Sequence, residues 1–326
     1  MVHHRSFPFA TTRLSILMFL EFSTLAYGLI GSYYFTQVLH FSALQAGLLT
    51  STFALGMLTS PWLMNLFSDK RISPAALLSI LQGLSALALF TASSRTSFIP
   101  LFSLLMISSF LVAPTLGIAN ALCFRYGKSK EGFGFLRMWG TLGFVGFSWL
   151  VSRLWLNSFP GAQISDVYRF AALVSALTAL YALTLPRERL AETQTRGDVS
   201  RTIKKPVVIW LILLVAIVLF FQRFYHLGAG PNLAYLGVSE DWMLPLLSGY
   251  QILEVGVLLS LSWLLKKVPG HVLIFCGLII QLILFFIMSI GISQDWWSID
   301  RARVNETRDK PLRLTFGWTA SGSEKK

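Results

Sequence analysis

Cysteine is nearly absent: Cys123 and Cys276 are the two in 326 residues. They sit in separate apolar blocks, so nothing suggests a disulfide framework or a cysteine-held metal. Charge is scarce as well, with Asp, Glu, Lys and Arg making up 13% of the chain, against about a quarter in a soluble domain. There is no His-Glu-x-x-His, no phosphate-binding glycine-lysine loop and no cysteine cluster. No enzyme class gains support, and no cofactor or metal is expected. The stretch GFGFLRMWG (Gly132 to Gly140) is not a dinucleotide fingerprint, since its spacing is wrong and no strand precedes it.

What the chain does have is apolar length. It is 54% hydrophobic, with mean hydropathy +0.63, and its apolar residues come in blocks of about 20, the length that crosses a bilayer as a helix. This defines an all-α, polytopic helical membrane protein. Nine spans are expected, at about 14–36, 44–66, 74–93, 98–122, 136–156, 168–185, 206–226, 244–265 and 271–292. The first is too long and unpunctuated for a cleaved signal peptide.

Lysine and arginine set the orientation. They gather in the even-numbered loops, at Lys70 and Arg71, at Arg125, Lys128 and Lys130, at Lys266 and Lys267, and above all in PRERLAETQTRGDVSRTIKK, Pro186 to Lys205. The N-terminus and the central loop are therefore expected in the cytoplasm, the chain being multi-pass in the cell (inner) membrane. The net charge of +12 reflects this topology and gives no hint of nucleic acid, because the basic residues are dispersed over many loops. The organisation expected is a six-helix bundle over 1–185, a cytoplasmic linker over 186–205, three further helices over 206–292 and a polar, disordered tail over 293–326.

Two places combine polar chemistry with an apolar surround. In FLRMWGTLGF, Arg137 opens a run with no further charge until Arg153. Arg137, Thr141 and Phe144 fall on one helical face. Cation, hydroxyl and aromatic plane together make a wall for a flat polar ligand. The competing reading is an arginine snorkelling to lipid phosphate. In GYQILEVGVLL, Glu254 lies within span 8 with Gln251 one turn earlier. An ionisable group at that depth costs about 2.5–3.5 kcal/mol to insert, so it should face the bundle interior or water. There Gln251 and Glu254 form a donor-acceptor pair suited to ribose hydroxyls or base edges, and Glu254 can carry a proton. A Glu that merely bonds a neighbouring helix is the alternative.

Six spans, a basic loop and further spans follow the plan of the major facilitator superfamily, and NLFSDKRIS after span 2 is similar to its loop signature through Asp69, Lys70 and Arg71. APTLGIANALCF in span 4, LRMWGTLGF entering span 5 and GYQILEVGVLL in span 8 resemble the nucleoside:proton symporter family within it. The likeness runs from about Leu14 to Ile292. It implies a proton-coupled nucleoside carrier whose pocket is lined at the positions of Arg137, Thr141, Phe144, Gln251 and Glu254, with Glu254 the proton-coupling group. In span 7 it points to Tyr225 or His226; Asn120 in span 4 and Glu21 in span 1 rank second, either of which could simply tie helices together. The implied partners are a nucleoside or similar small polar substrate, protons and the bilayer; oligomeric state is left open. Against the family plan, spans 10 to 12 are absent, and SQDWWSIDRARVNETRDKPLRLTFGWTASGSEKK, with seven Lys/Arg, would fall on the outer side. A frameshifted or truncated end accounts for both, and transport by the chain as given is expected to be impaired or lost. A carrier of an aromatic acid or sugar with the same fold, or a non-transporting remnant, are the alternatives.

Overall fold

The structure is a computed structural model describing residues 9–67, 72–126, 133–186, 206–235, 237–270, 272–280 and 282–283. The Asp69-Lys70-Arg71 motif, the linker beyond Pro186 and the tail 293–326 lie outside the described residues, as do the side chains of Gln222 and Tyr225. Met1–Gly270 and His271–Lys326 are separate compact units. In the second, residues 272–280 are helical.

The first unit is built of helices α1 (Ala10–Leu25), α2 (Ala43–Phe67), α3 (Pro74–Ala92), α4 (Phe98–Tyr126), α5 (Phe133–Leu150), α6 (Asp166–Ala182), α7 (Pro206–Tyr235), α8 (Glu240–Gly249) and α9 (Gln251–Lys267). No strand occurs among the described residues. Among the described residues, four helical stretches are long and apolar enough to cross a membrane on length and composition: Ala10–Val38, Pro74–Ala92, Phe98–Tyr126 and Glu240–Ser260. The expected span 8 is thus α8 and α9 joined through Tyr250, which keeps helical backbone angles.

The elements follow local chemistry. Helix α3 starts where Ser73 accepts the amide of Ala76 with Pro74 at the first helical position, an arrangement that satisfies an orphan donor and uses a residue that has none to offer. Span 1 extends past α1 as a 3-10 turn (Ala26–Leu29), a single α turn (Gly31–Tyr33) and a π turn (Tyr34–Val38). Such broken helix is stable at membrane depth only where protein or a water-filled cavity covers it.

The sequence stops span 7 near His226, ahead of the Gly230-Pro231 pair; the structure carries α7 on to Tyr235. Pro231 has no amide hydrogen, so the carbonyl four residues back, on Leu227, loses its helical partner. The Ser32 hydroxyl donates to that carbonyl instead. A hydroxyl from another helix therefore lets the proline pass.

Packing is pairwise: α1 runs along α5, α2 along α4, and α3 along both α4 and α6. One buried cluster joins Leu14, Leu17 and Met18 to Leu78, Leu81, Leu122 and Leu185. A second, at the other end of α1, gathers Ile30, Tyr34, Leu89, Leu101, Phe147 and Tyr168, and takes in Met243, Leu244 and Leu247 of α8. At this end polar ties reach α8. The Tyr33 hydroxyl donates to Glu240 at 2.7 Å, and Arg153 donates to Asp241 at 2.5 Å while lying 4.4 Å from the Trp242 ring centroid. At the first end, Tyr181 donates to the Arg13 carbonyl at 3.0 Å and Arg13 to the Thr184 carbonyl at 3.2 Å, so the start of α1 and the end of α6 lie together.

The tightest seam is α1 on α5. A Cβ at Gly143 would lie 2.1 Å from the Phe19 carbonyl oxygen, whereas one at Gly146 would lie 3.7 Å from the Phe19 ring. Gly143→Ala should therefore lower stability by about 1–3 kcal/mol, the range of overpacking in a filled core, and Gly146→Ala should be close to neutral. Thermal melts of the two variants in detergent check this; equal melting temperatures would show that the seam tolerates a methyl group.

Candidate functional site

A cavity of about 320 Å³ opens inside the first unit, walled by α1, α2, α4, α5, α6, α7 and α9. Six of the residues named from the sequence line it: Arg137, Thr141 and Phe144 on α5, His226 on α7, and Gln251 and Glu254 on α9. Asn120 is not among the lining residues; it lies half-buried on α4 with its Oδ1 buried and unpartnered. Tyr225 cannot be placed by its side chain, which lies outside the described part.

The arginine is held from three directions. Its guanidinium carbon sits 4.0 Å from the Phe22 ring centroid, its Nη1 donates to Thr141 Oγ1 at 3.3 Å, and its Nη2 lies 3.6 Å from Glu254 Oε1. Stacking on a ring leaves the edge of the planar fork free to bond, which an ammonium group cannot reproduce. Gly140 makes room for this, since a Cβ there would lie 2.6 Å from Phe22 and 3.1 Å from the Arg137 side chain. Arg137 thus faces the cavity and is 26% exposed, with Glu254 at 42%.

Glu254 lies in the first turn of α9, so it stands at the cavity edge of this helix and not among packed side chains. Gln251, one turn before it, donates to the Tyr250 hydroxyl at 3.4 Å, and the His226 ring lies 6.5 Å from that of Tyr250. Together these make a wall of amide, carboxylate, phenol and imidazole facing the cation and aromatic ring of α5.

The sequence reading passed over several lining residues. Phe22, Tyr27, Phe53, Arg223 and Tyr250 all reach the cavity, and Arg223 lies 5.6 Å from the Phe53 ring centroid. Arg223 stands one turn before His226, a spacing that places both on one face of α7. Phe22 carries no such signal, because its role depends on which helix lies opposite.

The apolar helices surrounding a cavity with a few charged and polar groups mark a multi-pass membrane protein, and comparison with known proteins agrees. The sequence profile described as "Nucleoside H+ symporter" matches residues 9–296. The chain belongs to this family. It is 31% identical over 191 residues to the nucleoside permease NupG of Escherichia coli (strain K12), an alignment covering 56% of this chain and 44% of that permease. It is 25% identical over 280 residues to the xanthosine permease of the same organism, covering 78% and 65% of the two chains. The crystal structure of the nucleoside transporter NupG superposes with a TM-score of 0.63 at 23% identity, over 80% of this chain and 68% of that one. These relatives are permeases and not enzymes, and the fold is that of the major facilitator class.

The geometry of the Arg137–Glu254 pair sets its magnitude. At 3.6 Å and with Glu254 42% exposed, the pair should couple by less than about 1 kcal/mol, as solvated ion pairs do. A double-mutant cycle of Arg137→Gln and Glu254→Gln on thermal stability tests this. A coupling of several kcal/mol would mean that the pair is sealed from water.

Proposed function

We propose that the cavity binds a nucleoside and that the chain belongs to a proton-driven uptake system, with Glu254 as the group that takes up and releases the proton. The observation carrying this reading is the meeting of two faces in one cavity, Arg137, Thr141 and Phe144 opposite Gln251 and Glu254, in a chain of the Nucleoside H+ symporter family. A cavity of about 320 Å³ falls within the range of small-molecule sites, about 300–1,000 Å³. A nucleoside offers a flat base and vicinal hydroxyls. Phe144 stacks on the base, Arg137 and Thr141 bond its edge, and Gln251 with Glu254 take the ribose hydroxyls, a carboxylate accepting two of them.

An aromatic acid in the same place fits less well. Arg137 already has a carboxylate 3.6 Å away, so a substrate carboxylate would meet Glu254 as well as the guanidinium, and like charges at that range repel. Beside Arg137, where Glu254 already supplies the countercharge, a neutral substrate is favoured.

On this reading the six helices of 1–185 form one half of a carrier, 186–205 is a cytoplasmic link, and 206–292 supplies helices of the other half. The protein lies in the inner membrane with its N-terminus in the cytoplasm, the side to which the basic loops assign it. Transport proceeds by rocking one half against the other around the midplane site. The ties from Tyr33 to Glu240 and from Arg153 to Asp241, at the end of α1 remote from Arg13, are contacts that such rocking breaks and remakes.

Binding of uridine and of phenylpropionate to the purified chain in nanodiscs tests the substrate class. Uridine should bind and phenylpropionate should not; the reverse order would replace the nucleoside reading. Phe144→Ala should weaken uridine binding by about 1–3 kcal/mol, the magnitude of aromatic–base stacking. Glu254→Gln should retain part of the binding while removing its dependence on pH. A Glu254→Gln variant whose binding still follows pH as the unaltered chain's does would assign the proton elsewhere.

A further inference from the structure

The cavity does not account for the most deeply buried acid among the described residues. Glu21 is 0% exposed and is not among the cavity's lining residues. It points from α1 into the core between α3, α4 and α6, while its neighbour Phe22 points the other way, to Arg137. Around the carboxyl is a closed set of neutral groups. Gln82 Nε2 lies 2.9 Å from Glu21 Oε2 and 3.0 Å from Thr115 Oγ1. Thr115 Oγ1 is 2.9 Å from the same carboxyl oxygen. The Ser175 hydroxyl lies within hydrogen-bond distance of both the side-chain and the backbone oxygen of Gln82, and donating to the side-chain oxygen it fixes the amide so that its nitrogen faces Glu21.

Counting hydrogens shows what this arrangement holds. Thr115 has a single hydroxyl hydrogen, and its oxygen lies 2.7 Å from the Val112 carbonyl within its own helix. If that hydrogen goes to Val112, the 2.9 Å contact with Glu21 has no hydrogen unless the carboxyl supplies one. The other carboxyl oxygen, Oε1, is buried with no partner. An ionised carboxylate so placed would keep a charge-bearing oxygen dry and unbonded, which native interiors avoid. A neutral acid whose Oε2 donates to Thr115 and accepts from Gln82 leaves only an uncharged carbonyl oxygen unused.

No cation compensates. Among the described residues Glu21 forms no ion pair. Helix α3 has no titratable side chain, and α4 presents Thr115, with Cys123, Arg125 and Tyr126 two or more turns further on. Helix α6 presents Ser175, with Asp166, Tyr168 and Arg169 toward its start and Tyr181 toward its end. Along the first span, Arg13 and Tyr27 lie more than one turn away on either side. On α5, Arg137 is directed to Phe22 and Glu254.

We propose that Glu21, with Gln82, Thr115 and Ser175, forms a second proton-binding site, walled off from the cavity within the amino-terminal helices. It rests on the symport reading above and adds to it a group that Glu254 does not replace. The proton is exchanged only when α1 separates from α3 and α4, because nothing in the present packing gives water access to the carboxyl. Since Phe22 follows Glu21 directly, loss of the proton would drive α1 out of its neutral socket and shift the ring on which Arg137 rests. Protonation of Glu21 and occupancy of the cavity are thereby linked through one helix.

Infrared difference spectroscopy of the full chain in nanodiscs tests this without requiring transport. The unaltered chain should show a neutral carboxylic acid C=O band at pH 7 that shifts in heavy water. Glu21→Gln, nearly isosteric, should abolish this band and Glu254→Gln should leave it in place. A band unchanged in Glu21→Gln, or absent from the unaltered chain, overturns the proposal. If Glu21→Gln fails to fold, Thr115→Val decides instead: the band should move, through loss of its hydrogen-bond partner, and an unmoved band overturns the assignment. Uridine binding measured in parallel separates the two readings. A chain that keeps the band but binds no uridine retains the proton site and loses the nucleoside reading.

Discussion

Helix α5 lies so close to α1 that a methyl group at Gly143 would come within 2.1 Å of the Phe19 carbonyl oxygen. The binding cavity depends on this approach. Between lipid tails no hydrophobic force drives helices together, so small residues that admit backbone contact decide which pairs meet. Glycines at 140, 143 and 146 lay one face of α5 onto Phe19, Phe22 and Ser23 of α1. That contact puts an aromatic ring under Arg137 and aims the guanidinium at the cavity. With bulkier residues on this face the arginine would lose its platform, and the polar wall of α5 would be displaced from that of α9.

The same scarcity of water organises the rest of the molecule. At several points where a backbone or side-chain group is deprived of its usual partner, a group from another helix stands in: Ser32 for the amide that Pro231 lacks, Tyr33 for Glu240, Gln82 and Thr115 for Glu21. Each such bond joins elements remote in sequence and each is specific in direction. Collectively they select a single packing of helices whose apolar surfaces alone would accept many. They also divide the polar groups into two sets, those bonded to one another in the amino-terminal core and those left facing the cavity, where a ligand can use them.

The cavity itself is asymmetric in chemistry. Its α5 wall offers a planar cation, a hydroxyl and a ring; its α9 wall offers an amide and a carboxylate; and α7 adds Arg223 and His226. At Arg137 the charge is met by Glu254, while Arg223 on α7 brings a second cation to the cavity.

The sequence by itself determined the solvent, the helical class, the start of the third span near residue 74, and the grouping of Arg137 with Thr141 and Phe144 and of Gln251 with Glu254. Composition and a 3.6-residue period suffice for these, because they concern one helix and its surroundings at a time. Only the tertiary structure decided that α7 continues through Pro231, that Phe22 and Arg223 belong to the cavity, that Asn120 does not, and that Glu21 is enclosed by neutral partners. Each of these depends on which side chain an unrelated helix brings opposite, at separations of 61 residues for Gln82 and Glu21 and 195 for Ser32 and Leu227. A local pattern records which face of a helix is polar; what that face meets is fixed by packing, which the pattern of a single helix does not contain.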